Sequence, residues 1–137
     1  AETYLDDVER TTEYRGLLGY TGSYQGVPVS VQTTGMGCPS LAIVVEELIR
    51  LGATRLVRIG TAGLVAGHVQ PGERIVAEAA EAGDGTTKQY LPGIAFPPVA
   101  NLAVTHALHQ AAQAHGGAVL YAPDRQPGAE FLLVLPI

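Results

Sequence analysis

A short apolar run that contains one arginine and ends in glycine constrains this chain more than any other stretch. Residues 56–59 are apolar and partly β-branched, as expected of a strand buried on both faces. Gly60 and Gly63 follow, and glycine lets a ligand approach the backbone closely. Arg58 stands inside the run, where a cation is costly unless an anion meets it. Arg58 therefore either meets a bound anion, pairs with a carboxylate of the same fold, or extends its charged end to the surface.

Local patterns before this run predict a hairpin, a loop and a helix. Residues 17–24 and 27–33 have strand composition, and the glycine-containing turn between them predicts a β-hairpin. The glycine-punctuated loop at 34–40 leads to a helix, because apolar residues recur at helical spacing from Leu41 to near Gly52. Residues 27–59 therefore predict a βαβ-type unit, with a right-handed crossover if its strands are parallel in one sheet.

The remaining segments carry weaker signals. The acidic residues 1–13 are typical of a brief helix or of the end of an element. The first half of 73–80 is predicted to be a strand, 82–98 a loop and 99–115 a helix. The last residues, 130–137, are rich in Leu and Val and fit either a strand or a helix.

Composition excludes several classes of protein. The chain has 137 residues, 47% of them hydrophobic, which predicts one globular domain with a core. Its net charge of −5, with no block of Lys or Arg, argues against a nucleic-acid surface. No apolar run is long enough for a membrane span, and no signal-peptide pattern opens the chain. The single cysteine, Cys38, excludes an internal disulfide and favours a cytoplasmic location.

Other candidate sites have simpler explanations. His106 and His109 have a spacing compatible with metal ligation, but their helix offers no third ligand, so no metal is predicted. Gly35 and Gly37 match only part of a dinucleotide-binding fingerprint. Met36 between them either faces a ligand or fills a gap in the core.

Several segments together resemble the nucleoside phosphorylase-I family. The resemblance is closest to the bacterial hexameric purine nucleoside phosphorylases, with uridine phosphorylases next. It is strong over residues 1–115 and fades over 116–137. The segments that carry it are 33–40, 43–48 and 58–63, with support from 15–22 and 84–90.

This resemblance implies a fold and a reaction. The fold is α/β, a mixed central β-sheet flanked by helices, with residues 1–137 forming a single incomplete domain. The reaction is reversible phosphorolysis of a purine nucleoside to free base and pentose 1-phosphate, a glycosyl (pentosyl) transfer used in purine salvage. Phosphate is the co-substrate, and no metal or organic cofactor is expected. The expected assembly is a homo-oligomer, a dimer or a trimer of dimers.

The resemblance also assigns roles to six residues. Arg58 and Thr61 are expected to bind phosphate, and Arg15 to reach the phosphate across a subunit interface. Met36 is expected to line the ribose, and Ala62 and Gly63 to contact the base.

Three family features have no match in this sequence. They are an early Gly-Asp-Pro loop with a second phosphate-binding arginine, a Glu-Met-Glu ribose site, and an aspartate that protonates the leaving base. The catalytic acid is therefore unknown, and the chain is expected to be a phosphorylase shortened at both ends. Two alternatives stay open: a uridine phosphorylase, or an incomplete phosphorylase that only binds phosphate and nucleoside or assembles.

Overall fold

The computed structural model describes residues 1–61 and 74–114, and the backbone of residues 134–135. The chain divides into two compact units, one made of Ala1–Thr61 with Glu130–Ile137 and the other of Ala62–Ala129. The single domain expected over 1–137 stays a prediction. None of the helices in the described ranges is long and apolar enough to cross a membrane.

An antiparallel three-stranded sheet opens the first unit. Its strands are β1 (Asp6–Thr12), β2 (Gly19–Tyr24) and β3 (Val27–Gln32), in the order β1-β2-β3. Gln25 and Gly26 have positive φ values of 51° and 76°, as two-residue hairpin turns require. The predicted hairpin is therefore confirmed.

Strand β1 corrects the prediction for residues 1–13. Instead of a brief helix, a single turn at the N-terminus leads into a strand whose pairing with β2 is interrupted by two register shifts. Asp7 has a left-handed φ of 51° within the strand. The sequence of β1 is polar and has no alternation of apolar and polar residues. This fits its exposure, since only Leu5, Val8 and Thr12 in this region are partly covered. Its strand conformation comes from backbone pairing with β2, which the local sequence does not encode.

The predicted helix is α1, which spans Gly37–Arg50. Val44 on its inner face is buried, and Gly52, with a φ of 99°, follows its last turn. The strand that follows α1 along the chain, at residues 55–56, belongs to a different sheet from β3. The two strands therefore do not form a parallel pair in one sheet, which is the condition for the predicted right-handed crossover. The prediction of a helix ending near Gly52 is confirmed.

The apolar run at residues 56–59, which contains Arg58, is only partly a strand. Strand β4 (Arg55–Leu56) pairs antiparallel with strand β5 (Val134–Leu135). At residues 134–135, the described part of 130–137, the alternative of a strand is therefore confirmed. Val57 is buried, but Ile59 is 73% exposed. The expectation of a strand buried on both faces through residue 59 is therefore wrong, since the backbone leaves the ladder after Leu56.

The second unit contains two helices, α2 (Gly85–Tyr90) and α3 (Leu102–Ala114). Helix α3 confirms the helix predicted at 99–115, whereas α2 lies inside the segment predicted as a loop. The strand predicted in the first half of 73–80 is wrong for residues 74–77, which form no strand. The nearby backbone pairing is an isolated bridge between Ala79 and Val99. The chain contains both β-sheets and α-helices, so the predicted α/β class is confirmed. The strand pairings of the described residues are antiparallel.

Candidate functional site

A cleft of about 680 Å³ lies in the first unit, between the two loops that the sequence singled out. One wall is formed by residues 31–37, where β3 ends and the glycine loop begins, and the other by residues 58–61, which follow β4. Helix α1 connects the two walls along the chain. Two segments brought together by one helix therefore build the candidate site.

The glycine loop has a backbone that only glycine adopts without strain. Gly35 and Gly37 have φ values of 74° and 79°, and Met36 between them is extended. A hydrogen bond of 2.6 Å from Ser40 Oγ to the Thr34 carbonyl oxygen ties the loop to the first turn of α1. A Cβ atom on Gly35 would clash with that Ser40 hydroxyl. The loop therefore has one well-defined shape.

Met36 lies at the cleft with 93% of its surface exposed. This exposure rules out the core gap-filling role that the sequence left open. An exposed thioether between two left-handed glycines offers a flexible apolar surface to a ligand.

Arg58 supplies the charge of the cleft. Among the residues that form its lining in the described ranges, Arg58 is the charged one and no carboxylate is present. Its side chain is half-buried and its Nη1 atom is shielded from solvent. Helix α1 begins at Gly37 in the other wall of the cleft, and a helix N-terminus carries a partial positive charge. Both features favour an anion.

The structure brings three of the six predicted site residues together. Met36, Arg58 and Thr61 line the same cleft. Arg15 lies outside the lining, exposed in a 3₁₀ turn at Tyr14–Gly16. Ala62 and Gly63 fall outside the described residues.

Three polar lining residues had no predicted role. Gln32, Thr33 and Thr34 occupy the end of β3 and the start of the glycine loop, and Gln32 Nε2 donates to the Thr33 carbonyl oxygen at 2.9 Å. The run Gln-Thr-Thr replaces the apolar alternation of the strand just before the glycines. That change from apolar to polar residues is the signal that marks them.

The second unit holds ionisable groups that serve the fold. Asp84 accepts hydrogen bonds from Thr87 Oγ1 at 2.6 Å and Thr87 N at 2.9 Å, which lower the pKa of this carboxyl to about 2. His106 contacts Gln110 at 3.0 Å, and His109 lies 3.8 Å from Glu78. Asp84 is thus an N-terminal helix cap, and the two histidines have separate neighbours.

Comparison with known proteins gives a family match and several relatives. The family model described as "Phosphorylase superfamily" matches residues 1–127. A uridine phosphorylase of Thermococcus kodakarensis is 41% identical over 111 residues, which cover 81% of this chain and 40% of the relative. A DeoD-type purine nucleoside phosphorylase of an Exiguobacterium species is 40% identical over 117 residues, covering 85% and 49%.

A third relative, a DeoD-type purine nucleoside phosphorylase of Bacillus thuringiensis, is 44% identical over 102 residues, covering 74% of this chain and 43% of the relative. The chain thus spans about half the length, or less, of these relatives. The family match nevertheless includes both walls of the cleft and runs through almost the whole sequence. The chain therefore belongs to the phosphorylase superfamily.

Proposed function

We propose that this chain binds phosphate and a purine nucleoside in the cleft between residues 31–37 and 58–61 and takes part in reversible phosphorolysis. The observation that carries the proposal is the half-buried Arg58 in a wall that faces a glycine loop, in a chain of the phosphorylase superfamily. The relatives named as purine nucleoside phosphorylases support the substrate class.

In this reaction a phosphate oxygen forms a bond to the anomeric carbon of the pentose while the bond from that carbon to the base nitrogen breaks. The electron pair of the broken bond moves to the base, which takes up a proton, and the transition state resembles a sugar cation. Holding the phosphate dianion beside the anomeric carbon supplies proximity and electrostatic stabilisation.

The residues divide this work between them. The Arg58 guanidinium and the Thr61 hydroxyl or backbone N–H bind phosphate, since charge-assisted bonds to a guanidinium suit phosphate geometry. Met36 lies against the ribose, and Ala62 and Gly63 contact the base. Arg15 reaches the phosphate of a neighbouring copy, so the site is complete only in a homo-oligomer, with a hexamer as the full assembly. The acid that protonates the base is unassigned.

A phosphate titration tests the binding site. Isothermal calorimetry with inorganic phosphate is expected to show that Arg58→Ala weakens binding at least about tenfold, because a hydrogen bond to a charged group contributes about 1.5–3 kcal/mol. Arg55→Ala is the matched control, since Arg55 is exposed on β4 and lies outside the cleft lining. Equal affinities in Arg58→Ala and the unsubstituted protein would remove Arg58 from the site.

A phosphorolysis assay tests the reaction and its substrate. Turnover of inosine and guanosine with phosphate is expected. Preferential turnover of uridine would instead favour a uridine phosphorylase, an alternative supported by the 41% identical relative of that name. Phosphate binding without turnover of any nucleoside would favour the incomplete phosphorylase that only binds or assembles. A role in purine salvage follows only from the first outcome.

A further inference from the structure

The turn that carries Arg15 holds its backbone in an uncommon conformation. Arg15 has a φ of 56° and a ψ of 25°, and Gly16 follows with a φ of 74°. Hydrogen bonds of 3.0 Å from Gly16 N to the Glu13 carbonyl oxygen and from Leu17 N to the Tyr14 carbonyl oxygen close the turn. A left-handed arginine is unfavourable unless its surroundings fix it, and such residues often lie at functional sites.

The side chain of Arg15 stacks on an aromatic ring. The Arg15 Cζ atom lies 5.5 Å from the centroid of the Tyr14 ring, which is within cation–π range. Tyr14 is 74% exposed, so its ring contributes little to a core. The adjacent carboxylate of Glu13 pairs with Arg10 at 3.1 Å. The ring is therefore the platform that the turn offers to the guanidinium.

We propose that Tyr14 is a positioning residue that holds the Arg15 guanidinium ready for a phosphate in a neighbouring copy. This inference rests on the proposed function, in which Arg15 completes that site. An arginine on a flexible stem loses rotamer freedom when it binds an anion. Stacking on Tyr14 and the left-handed backbone restrict the side chain before phosphate arrives, so less freedom is lost on binding.

The test compares Tyr14→Leu with Tyr14→Phe by phosphate calorimetry on the assembled protein. Tyr14→Leu removes the ring and is expected to raise the Kd for phosphate about two- to fivefold. Tyr14→Phe keeps the ring and is expected to bind like the unsubstituted protein. Tyr4→Leu is the control for loss of an exposed tyrosine, since Tyr4 is 78% exposed. Thermal melts and size-exclusion chromatography verify that each variant folds and assembles alike.

Two further measurements show whether Tyr14 acts through Arg15. In an Arg15→Ala background, Tyr14→Leu is expected to have no additional effect on phosphate affinity. NMR of the Arg15 Nε–H group is expected to show an upfield ring-current shift that Tyr14→Phe keeps and Tyr14→Leu loses.

The outcomes separate this inference from the proposed function. If Arg15→Ala weakens phosphate binding but Tyr14→Leu does not, or if Tyr14→Leu has the same effect with and without Arg15, the positioning role is overturned. If phosphate binds but Arg15→Ala has no effect, the role proposed for Arg15 fails first. If no phosphate binds to the unsubstituted protein, the proposed function itself fails, and the positioning role fails with it.

Discussion

Two glycines with nearly the same backbone conformation show how much surroundings matter at the scale of a residue. Gly26 in the hairpin turn has a φ of 76°, and Gly35 in the cleft loop has a φ of 74°. A Cβ atom on Gly26 would meet open space, whereas one on Gly35 would clash with Ser40 Oγ. The pair therefore separates the cost of a left-handed backbone from the cost of a steric clash.

Alanine substitution at the two glycines is expected to have unequal effects on stability. Gly26→Ala should lower the free energy of unfolding by about 1–2 kcal/mol, the cost of a left-handed non-glycine residue. Gly35→Ala should lower it further, because the new methyl group also displaces the Ser40 hydroxyl. Urea unfolding of both variants measures the difference.

Ser40→Ala supplies the control for this comparison. It removes the hydroxyl oxygen that the new methyl group would meet, so Gly35→Ala should cost less in the Ser40→Ala background than alone. Equal losses for Gly26→Ala and Gly35→Ala would contradict the tight contact between the loop and α1.

The sequence predicted some of these residues and not others. Glycine at 35 and 37 and arginine at 58 carry strong physical signals, because left-handed backbone and a cation in an apolar run both restrict the residue type. Met36 stayed ambiguous, since a methionine suits a core and a ligand surface equally well. Its exposure depends on a cleft built from two distant segments.

At the scale of an element, helix α2 depends on the residue that caps its N-terminus. Asp84 caps the helix, and its two oxygens accept from the backbone N–H and the hydroxyl of Thr87. These bonds favour the carboxylate form and lower its pKa from the ordinary value of 3.8 to about 2, the hydroxyl having the largest effect.

The lowered pKa predicts an acid dependence for this cap. A carboxylate with a depressed folded-state pKa stabilises the fold above its unfolded value, and that contribution is lost as the pH falls from about 3.8 to about 2. An NMR titration of the Asp84 carboxyl carbon should therefore have its midpoint near 2. Asp84→Asn, which still offers an acceptor oxygen but does not titrate, should remove this part of the pH dependence.

Two threonine variants identify the cause of the shift. Thr87→Val removes the hydroxyl donor and should raise the pKa of Asp84 toward its ordinary value. Thr86→Val is the matched control, because Thr86 acts on Asp84 through its backbone. A pKa that is unchanged in Thr87→Val would contradict the hydroxyl as the main cause.

Elements with strong local signals were predicted, and those that depend on distant partners were not. The β2–β3 hairpin follows from its turn, and α1 and α3 follow from their length and apolar spacing. Helix α2 was missed because six residues between glycines are typical of a loop, although Asp84 and Thr87 have the spacing of a helix cap. Residues 74–77 have strand composition but lie outside a ladder, so β-propensity misled the prediction there.

At the scale of the whole molecule, the proposed site draws on two copies of the chain. If Arg58 of one copy and Arg15 of its neighbour share a phosphate, then a dimer of Arg15→Ala with Arg58→Ala has one intact site and one that lacks both arginines. Random mixing makes half of the dimers mixed, so about a quarter of the sites should be intact.

Mixing the two variants therefore tests the shared site directly. After dissociation and reassembly, the mixture should recover about a quarter of the phosphate-binding sites of the unsubstituted protein, counted by calorimetry. Each variant alone, treated in the same way, is the control. No recovery, although mixed assemblies form, would contradict a site shared between copies.

The position of the cleft within the sequence has a consequence for how the protein folds. All of its described lining falls between Val31 and Thr61, and the two walls are separated by little more than one helix. Closing such a short loop loses little chain entropy, and contacts between residues close in sequence form fast. We therefore expect the two walls to meet early in folding, before strand β5, more than seventy residues further along the chain, pairs with β4.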